Sequence, residues 1–318
     1  MRWAARGGAV GALIAGVVLA GCAAGGGDAA GGAATTAATT ATTTAPPTTA
    51  APTTAARPEP LGPRDHRLAL TVDGQRRRFL LHVPPGHRRG QRLPLVVVLH
   101  MARDGADGKT IRDLTGLDAT ADRHRFLVAY PDGLDGRWNS VLCCNDTDDV
   151  GFVRAVVEHA RRRWGADPDR VYATGASNGA AMSYRLAAAL PGVFAAIAPV
   201  SGALTDIDVA EGFPTRPVSL VAFHGRQDGV FSSMDEGVAA WRRRLGCGTP
   251  RAEPYGASGR VTRAAARCRD GTDVVVYELA DMGHAWPGAA ADDPMAAPDA
   301  PVSANDLLWQ FFERHRRR

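Results

Sequence analysis

Lysine is almost missing from this 318-residue chain. Lys109 is the only one, and every other basic residue is arginine. The formal net charge is only +4, too small an excess over this length to point to nucleic acid. Arginine triplets at 76–78, 161–163, 242–244 and 316–318 stand far apart in the chain. They read as solvated helix ends and loops, the alternative being a phosphate- or envelope-binding face. No C-x-x-C pair, H-E-x-x-H, phosphate-binding loop or dinucleotide fingerprint occurs, which removes the usual signals for zinc, nucleotide and hydride chemistry. No metal and no cofactor are therefore expected. The run NDTDD at 145–149 lacks the ligand spacing and glycine of a calcium loop and reads as a helix cap and solvated loop. There is no internal repeat, and no insertion long enough to form a lid domain.

No apolar run is long enough to span a bilayer comfortably either, since that takes about 20 residues. Residues 9–20 (AVGALIAGVVLA) are apolar but short, follow Arg2 and Arg6, and end in Leu19-Ala20-Gly21-Cys22. A basic start, a short apolar run and small residues before a cysteine make a secretory signal over 1–21. The order matches the bacterial lipobox, in which the cysteine, here Cys22, is lipidated; the alternative is an ordinary signal peptide with a chance cysteine. Residues 23–60 are Ala, Gly, Thr and Pro with almost no large apolar side chains. Such a segment buries too little surface to offset its ordering entropy, and reads as a tether with a random-coil reach of about 35 Å. The expected organisation is a signal at 1–21, a lipidated Cys22 and tether at 22–60, and one catalytic domain at 61–318. The protein would then sit at the membrane through a lipid anchor, facing outward, or be secreted. A monomer is expected.

Besides Cys22 the chain has Cys143, Cys144, Cys247 and Cys268. An even number in an exported domain suggests disulfides. Cys247 and Cys268 flank a loop containing glycine and proline and are the expected pair. The adjacent Cys143 and Cys144 would form a strained bridge or remain thiols.

From residue 68 onward, strand and helix signals alternate. Residues 68–72 and 78–83 flank Asp73-Gly74 as a hairpin. The runs 93–99 (LPLVVVL) and 126–130 (FLVAY) are continuous apolar stretches, as in strands buried on both faces. Further strands are expected at 171–174, 194–200, 218–223 and 274–279. Helices are expected at 150–164, with Asp149 as cap, and at 180–190, 234–245 and 302–315. This alternation predicts an α/β fold: a mostly parallel sheet with helices on both faces and an antiparallel N-terminal edge hairpin.

The strongest chemical signal is Gly175-Ala176-Ser177-Asn178-Gly179, between the strand VYAT and the helix AAMSYRLAAAL. Small residues let the chain turn sharply, so that the serine projects at the carboxyl end of the sheet. A serine hydroxyl needs a base, and in this arrangement the order along the chain is serine, acid, histidine. His284 lies in a loop after the strand VVVYEL, where the base belongs. His224 comes too early and reads as structural, and His315 lies in a charged tail. Asp228 is the first carboxylate after the strand VSLVAF, with Asp235 the runner-up beside the next helix. The oxyanion donors expected are the backbone N–H of Asn178 and one from the loop His100-Met101-Ala102, placed on Met101. Trp138 and Trp286 are candidates to line the substrate cleft, the alternative being that they simply pack.

These motifs together resemble the feruloyl esterase and poly(3-hydroxybutyrate) depolymerase group of carbohydrate esterase family 1, which includes actinobacterial lipoprotein esterases. The likeness rests on RVYATGASNGAAMSYRLA, FAAIAPVSG, FHGRQDGV and MGHAWPG, and on YPDG, Trp138-Asn139, Cys143-Cys144 and DDVGF at 148–152. It runs from about residue 68 to 312. It implies an α/β-hydrolase without metal that cleaves small-acyl or aromatic-acyl esters through an acyl-enzyme, with Ser177, Asp228 and His284 in the triad positions. One departure stands out. The family usually has glycine after the oxyanion-loop histidine, and here that residue is Met101. If the backbone there needs φ > 0, methionine would be strained; a donor can also be presented at negative φ. Two alternatives share the fold: an acyltransferase or peptidase, and a non-catalytic envelope-binding lipoprotein.

Overall fold

The computed structural model describes residues 64–140, 147–204, 214–216 and 218–317, all within one compact unit, Ala56–Arg318. Cys22, the tether, and the Cys143-Cys144 pair lie outside the described residues.

Strands β1 (Asp65–Val72) and β2 (Gln75–His82) form the expected hairpin, with Val72 opposite Gln75. Asp73 and Gly74 both take left-handed φ, at 47° and 77°, the geometry that matches a two-residue turn to the twist of its strands. Next come β3 (Leu93–Leu99), β4 (Leu127–Pro131), β5 (Ala166–Ala176), β6 (Ala196–Val200), β7 (Ser219–Gly225), β8 (Arg251–Pro254), β9 (Val261–Arg267) and β10 (Asp273–Leu279). They join in a ten-stranded sheet of order β1-β2-β4-β3-β5-β6-β7-β10-β9-β8. Strands β4, β3, β5, β6, β7 and β10 run parallel. A small pair, β11 (Trp286–Pro287) and β12 (Ala296–Ala297), stands apart.

The helices are α1 (Gly108–Thr115), α2 (Leu117–His124), α3 (Asp149–Trp164), α4 (Asn178–Ala189), α5 (Phe231–Arg244) and α6 (Ala304–Phe312). The pleat of β3 shows how they divide. Leu95, Val97 and Leu99 pack in one apolar cluster with Phe152 of α3, Met182 of α4 and Trp241 of α5. Val96 and Val98 pack in a second cluster with Ile111 of α1, Leu117 of α2 and Leu308 of α6. Because side chains alternate across a strand, the two clusters lie on opposite faces of the sheet, which explains the unbroken apolar run of β3.

Two local expectations need correction. The cap of α3 is Asp148, whose side chain accepts the Gly151 N–H at 2.7 Å. Asp149 instead turns inward and is 1% exposed. Its Oδ1 accepts from Arg77 at 2.6 Å and its Oδ2 from the Asn139 N–H at 2.7 Å. Removing one partner from a buried pair of this kind typically costs about 3–5 kcal/mol, so Asp149 holds the 132–140 segment against the sheet. Second, the stretch between Cys247 and Cys268 is not a loop but the antiparallel β8–β9 pair, with the two cysteines joined by a disulfide at its base. Helices α1 and α2 fill the stretch between β3 and β4, for which no element was expected. A reciprocal cap between Asp107 and Thr110 starts α1, and Gly116, at φ 56°, ends it.

Candidate active site

Because β3, β5, β6, β7 and β10 are parallel, their carboxyl ends lie along one edge, where open α/β sheets place their sites. Ser177 follows β5 and sits at φ 55°, ψ −115°. This is a rare conformation for a residue with a side chain and is held only where the surroundings over-determine it. Its N–H donates to Val200 O at 3.0 Å, and its carbonyl accepts from Ala181 at 3.0 Å as α4 begins. Close approach dictates the residue at 179: a Cβ there would lie 2.2 Å from Leu99 O, so only glycine lets α4 start this near β3.

His284 and Asp228 come together from separate loops. His284 Nδ1 lies 2.8 Å from Asp228 Oδ2, with side-chain exposures of 40% and 2%. The other carboxylate oxygen of Asp228 accepts the Val230 N–H at 3.0 Å. The two loops are also stitched by main chain, Arg226 N to Leu279 O and Gln227 N to Met282 O, both 2.9 Å. Asp235 lies on an exposed position of α5 and takes no part in this pairing.

The opposite wall is built around His100, which is fully buried. Its Nδ1 lies 2.8 Å from Met101 O, and its Nε2 accepts the Gly133 N–H at 2.9 Å. One nitrogen must therefore carry a proton and the other a lone pair, the neutral Nδ1–H tautomer. Burial holds its pKa below the usual imidazole range, against the opposing pull of the Met101 carbonyl. Met101 is buried and is not among the residues with positive φ, so the strain that its departure from glycine threatened is absent. Among the described residues, no backbone acceptor takes its N–H. The Asn178 side chain ties the Ser177 turn to this wall: Oδ1 accepts the Trp138 N–H at 2.7 Å and Nδ2 donates to Ser140 Oγ at 2.6 Å.

Trp138 and Trp286 do not sit as cleft-lining residues, because both indoles are completely buried. Trp138 Nε1 donates to His100 O at 3.0 Å, bracing the loop that follows β3. Trp286 Nε1 donates to Asn305 Oδ1 at 3.0 Å, bracing the histidine loop against α6. Next to His284 a cavity of about 420 Å³ opens between its loop and residues 294–301, with Arg260, Met282, Pro294, Ala297 and Pro301 in its walls.

A further cluster escaped the sequence reading. Asp65, His82 and Asp118 bring ligand-type atoms within 4.8 Å of one another. Arg112 already occupies both carboxylates, at 2.5 and 2.6 Å, and Tyr130 donates to Asp118 at 2.7 Å. The cluster is a satisfied ion network that pins the edge hairpin to α1 and α2.

His224 is buried in β7, and neither ring nitrogen has a hydrogen-bond partner among the described residues. Burial, helped by the charge of Arg242, pushes its pKa down to about 4. The unfolded chain, near 6.5, binds this proton first, so stability should fall as pH drops from about 6.5 to 4 and level off below. At about 1.4 kcal/mol per pH unit the loss approaches ~3 kcal/mol. Urea midpoints compared at pH 7 and pH 4 should fall further in the parent than in His224→Leu; equal losses would remove His224 as the cause.

The chain matches the family described as Esterase PHB depolymerase over residues 78–211. It is 30% identical over 281 residues to "Putative esterase NocK" of Nocardia uniformis subsp. tsuyamanensis, a match covering 76% of this chain and 81% of that one. It is 29% identical over 246 residues to feruloyl esterase C of Emericella nidulans, covering 74% of this chain and 83% of that one. Among solved structures, an acetyl xylan esterase from Aspergillus awamori shares the fold with a TM-score of 0.60 at 18% identity, covering 78% of this chain and 99% of that one. The sheet order, the strand ends that carry the site and these likenesses agree: the chain belongs to the Esterase PHB depolymerase family and is an esterase-type hydrolase on an α/β-hydrolase fold.

Proposed function

We propose that the protein is a serine carboxylic ester hydrolase working through an acyl-enzyme, with Ser177 as nucleophile, His284 as base and Asp228 as the acid that orients it. The observation that carries this reading is the pairing of a strained Ser177 turn with the 2.8 Å His284–Asp228 contact at the same edge of the sheet. Ser177 Oγ attacks the ester carbonyl carbon while its proton passes to His284 Nε2. Asp228 Oδ2 accepts the Nδ1–H, fixing the tautomer and stabilising the imidazolium. The oxyanion is held by the backbone N–H groups of Asn178 and Met101. As the carbon–oxygen bond breaks, His284 returns the proton to the departing alcohol; water then repeats the sequence to release the acid.

The substrates proposed are small-acyl or aromatic-acyl esters, of the feruloyl or hydroxybutyrate kind, polymeric ones included. The names of the relatives at 29–30% identity and the matched family support this choice. Export through residues 1–21 and anchoring through a lipidated Cys22, with 22–60 as tether and 61–318 as catalytic domain, complete the proposal; its support is the order of basic, apolar, small and cysteine residues. No helix among the described residues is long and apolar enough to cross a membrane. No observation favours the acyltransferase, peptidase or non-catalytic alternatives. The test is turnover of methyl ferulate, p-nitrophenyl acetate and a hydroxybutyrate oligomer by the full chain. Hydrolysis of at least one ester well above a Ser177→Ala control is expected; rates equal to that control for all three would overturn the reading.

A further inference from the structure

Ser201, directly after β6 and within the stretch FAAIAPVSG, was given no role in the sequence, yet its surroundings are unusual. It is a non-glycine residue at φ 47°, and it is fully buried. Its N–H donates to Phe223 O at 3.0 Å. Its hydroxyl makes two contacts with one residue 84 positions away: it donates to Ala285 O at 2.9 Å and accepts the Ala285 N–H at 3.2 Å. Ala285 is the residue after His284. The next residue on the other side, Gly202, lies against the nucleophile turn, where a Cβ would come 2.4 Å from Ser177 O. Two consecutive residues therefore touch both halves of the proposed machinery, the turn that carries Ser177 and the loop that carries His284.

A left-handed φ costs a residue with a Cβ about 1–2 kcal/mol, and glycine would relieve that cost. A side chain kept there needs a reason, and the hydroxyl supplies one. Ala285 is buried, and both its N–H and its C=O face Ser201 Oγ. Asp228 orients the imidazole ring through Nδ1, while the loop's other ties, at Met282 and Trp286, each lie two residues from His284. We propose that Ser201 is a positioning residue: its hydroxyl clamps the main chain at Ala285 and so sets the distance at which His284 faces Ser177. This inference rests on the esterase reading of the same site.

The test uses the full chain and three variants, Ser201→Ala, Ser201→Gly and Ser201→Cys. The alanine and glycine variants both lose the hydroxyl, and glycine also relieves the backbone. Misplacement of about 1 Å can cost on the order of 10²-fold in rate. Both variants should therefore lose about that much in kcat per folded molecule with KM little changed, and Ser201→Cys, which keeps a weak donor and acceptor, should recover part of it. A purely structural Ser201 would instead make kcat follow the folded fraction, and an unchanged kcat per folded molecule in Ser201→Ala and Ser201→Gly overturns the proposal. A second readout needs no turnover: the low-field proton resonance of the His284–Asp228 hydrogen bond. It should persist in Ser177→Ala and shift or vanish in Ser201→Ala; an unperturbed resonance in Ser201→Ala also counts against the clamp. If the parent hydrolyses no ester while the resonance still responds to Ser201, the esterase reading falls and the clamp stands.

Discussion

Ser177→Ala is expected to lower kcat by about 10⁶-fold, the scale seen when a serine hydrolase loses its nucleophile. KM should move little, because the hydroxyl contributes to bond making and not to holding the ester. The same substitution should leave stability close to the parent or slightly change it, since alanine keeps the Cβ at the left-handed φ of 55°. His284→Ala should cost about as much, and the double variant no more than either alone, because each group acts only through the other. A residual rate of about 10³–10⁴ over water is expected from the oxyanion donors and binding. Steady-state kinetics on one activated ester measure all three variants. Additive losses in the double variant would mean that Ser177 and His284 do not act as a unit.

Asp228→Asn is expected to reduce kcat by about 10⁴-fold while leaving the fold intact, through the wrong histidine tautomer. The local bonding makes this specific. One carboxylate oxygen accepts the Val230 N–H at 3.0 Å, and the other accepts from His284 Nδ1, 2.8 Å away. An amide has a single acceptor oxygen. If that oxygen stays with Val230, the amide NH₂ faces Nδ1, which must then be unprotonated. The proton moves to Nε2, the nitrogen that has to receive the serine proton. If the amide flips, its NH₂ meets the Val230 N–H instead, donor against donor. Kinetics and a urea midpoint measured together decide the case: a large rate loss with a small midpoint shift is expected. A comparable loss in Asp235→Asn, or full activity in Asp228→Asn, would move the acid elsewhere.

Much of this architecture was legible because its signals are local. The unbroken run LPLVVVL, the Asp73-Gly74 turn and the G-x-S-x-G between a strand and a helix each depend on a few neighbouring residues. Chain order then singled out Asp228 and His284, and the structure brings the two within hydrogen-bond distance. What stayed hidden depends on partners far away in sequence. Asp149 looked like a cap because aspartate before a helix is a good one; its true partner, Arg77, is 72 residues back. Trp138 and Trp286 looked like platforms because large aromatics near a catalytic loop often are, yet each is sealed behind a single indole hydrogen bond. Ser201 lies within FAAIAPVSG, but a serine after a strand gives no hint of its φ or of its distant partner Ala285. The β8–β9 pair was missed because most of its residues are Arg, Glu and Ala, and only Val261 and Thr262 are β-branched, too few for a strand signal.

That same charged pair has a consequence for how the molecule behaves in company. A ten-stranded sheet that does not close leaves a free margin at each side, and an open margin invites another chain to pair with it. At the β8 margin the strand is only four residues long, RAEP, with Arg251 and Pro254 exposed and the proline unable to donate to a new neighbour. At the β1 margin, Asp65 and His82 are held in a network with Arg112 that ties the hairpin down. The β8 flank is thus a poor template for pairing with a further chain, and the β1 flank is fixed in place at its Asp65 end.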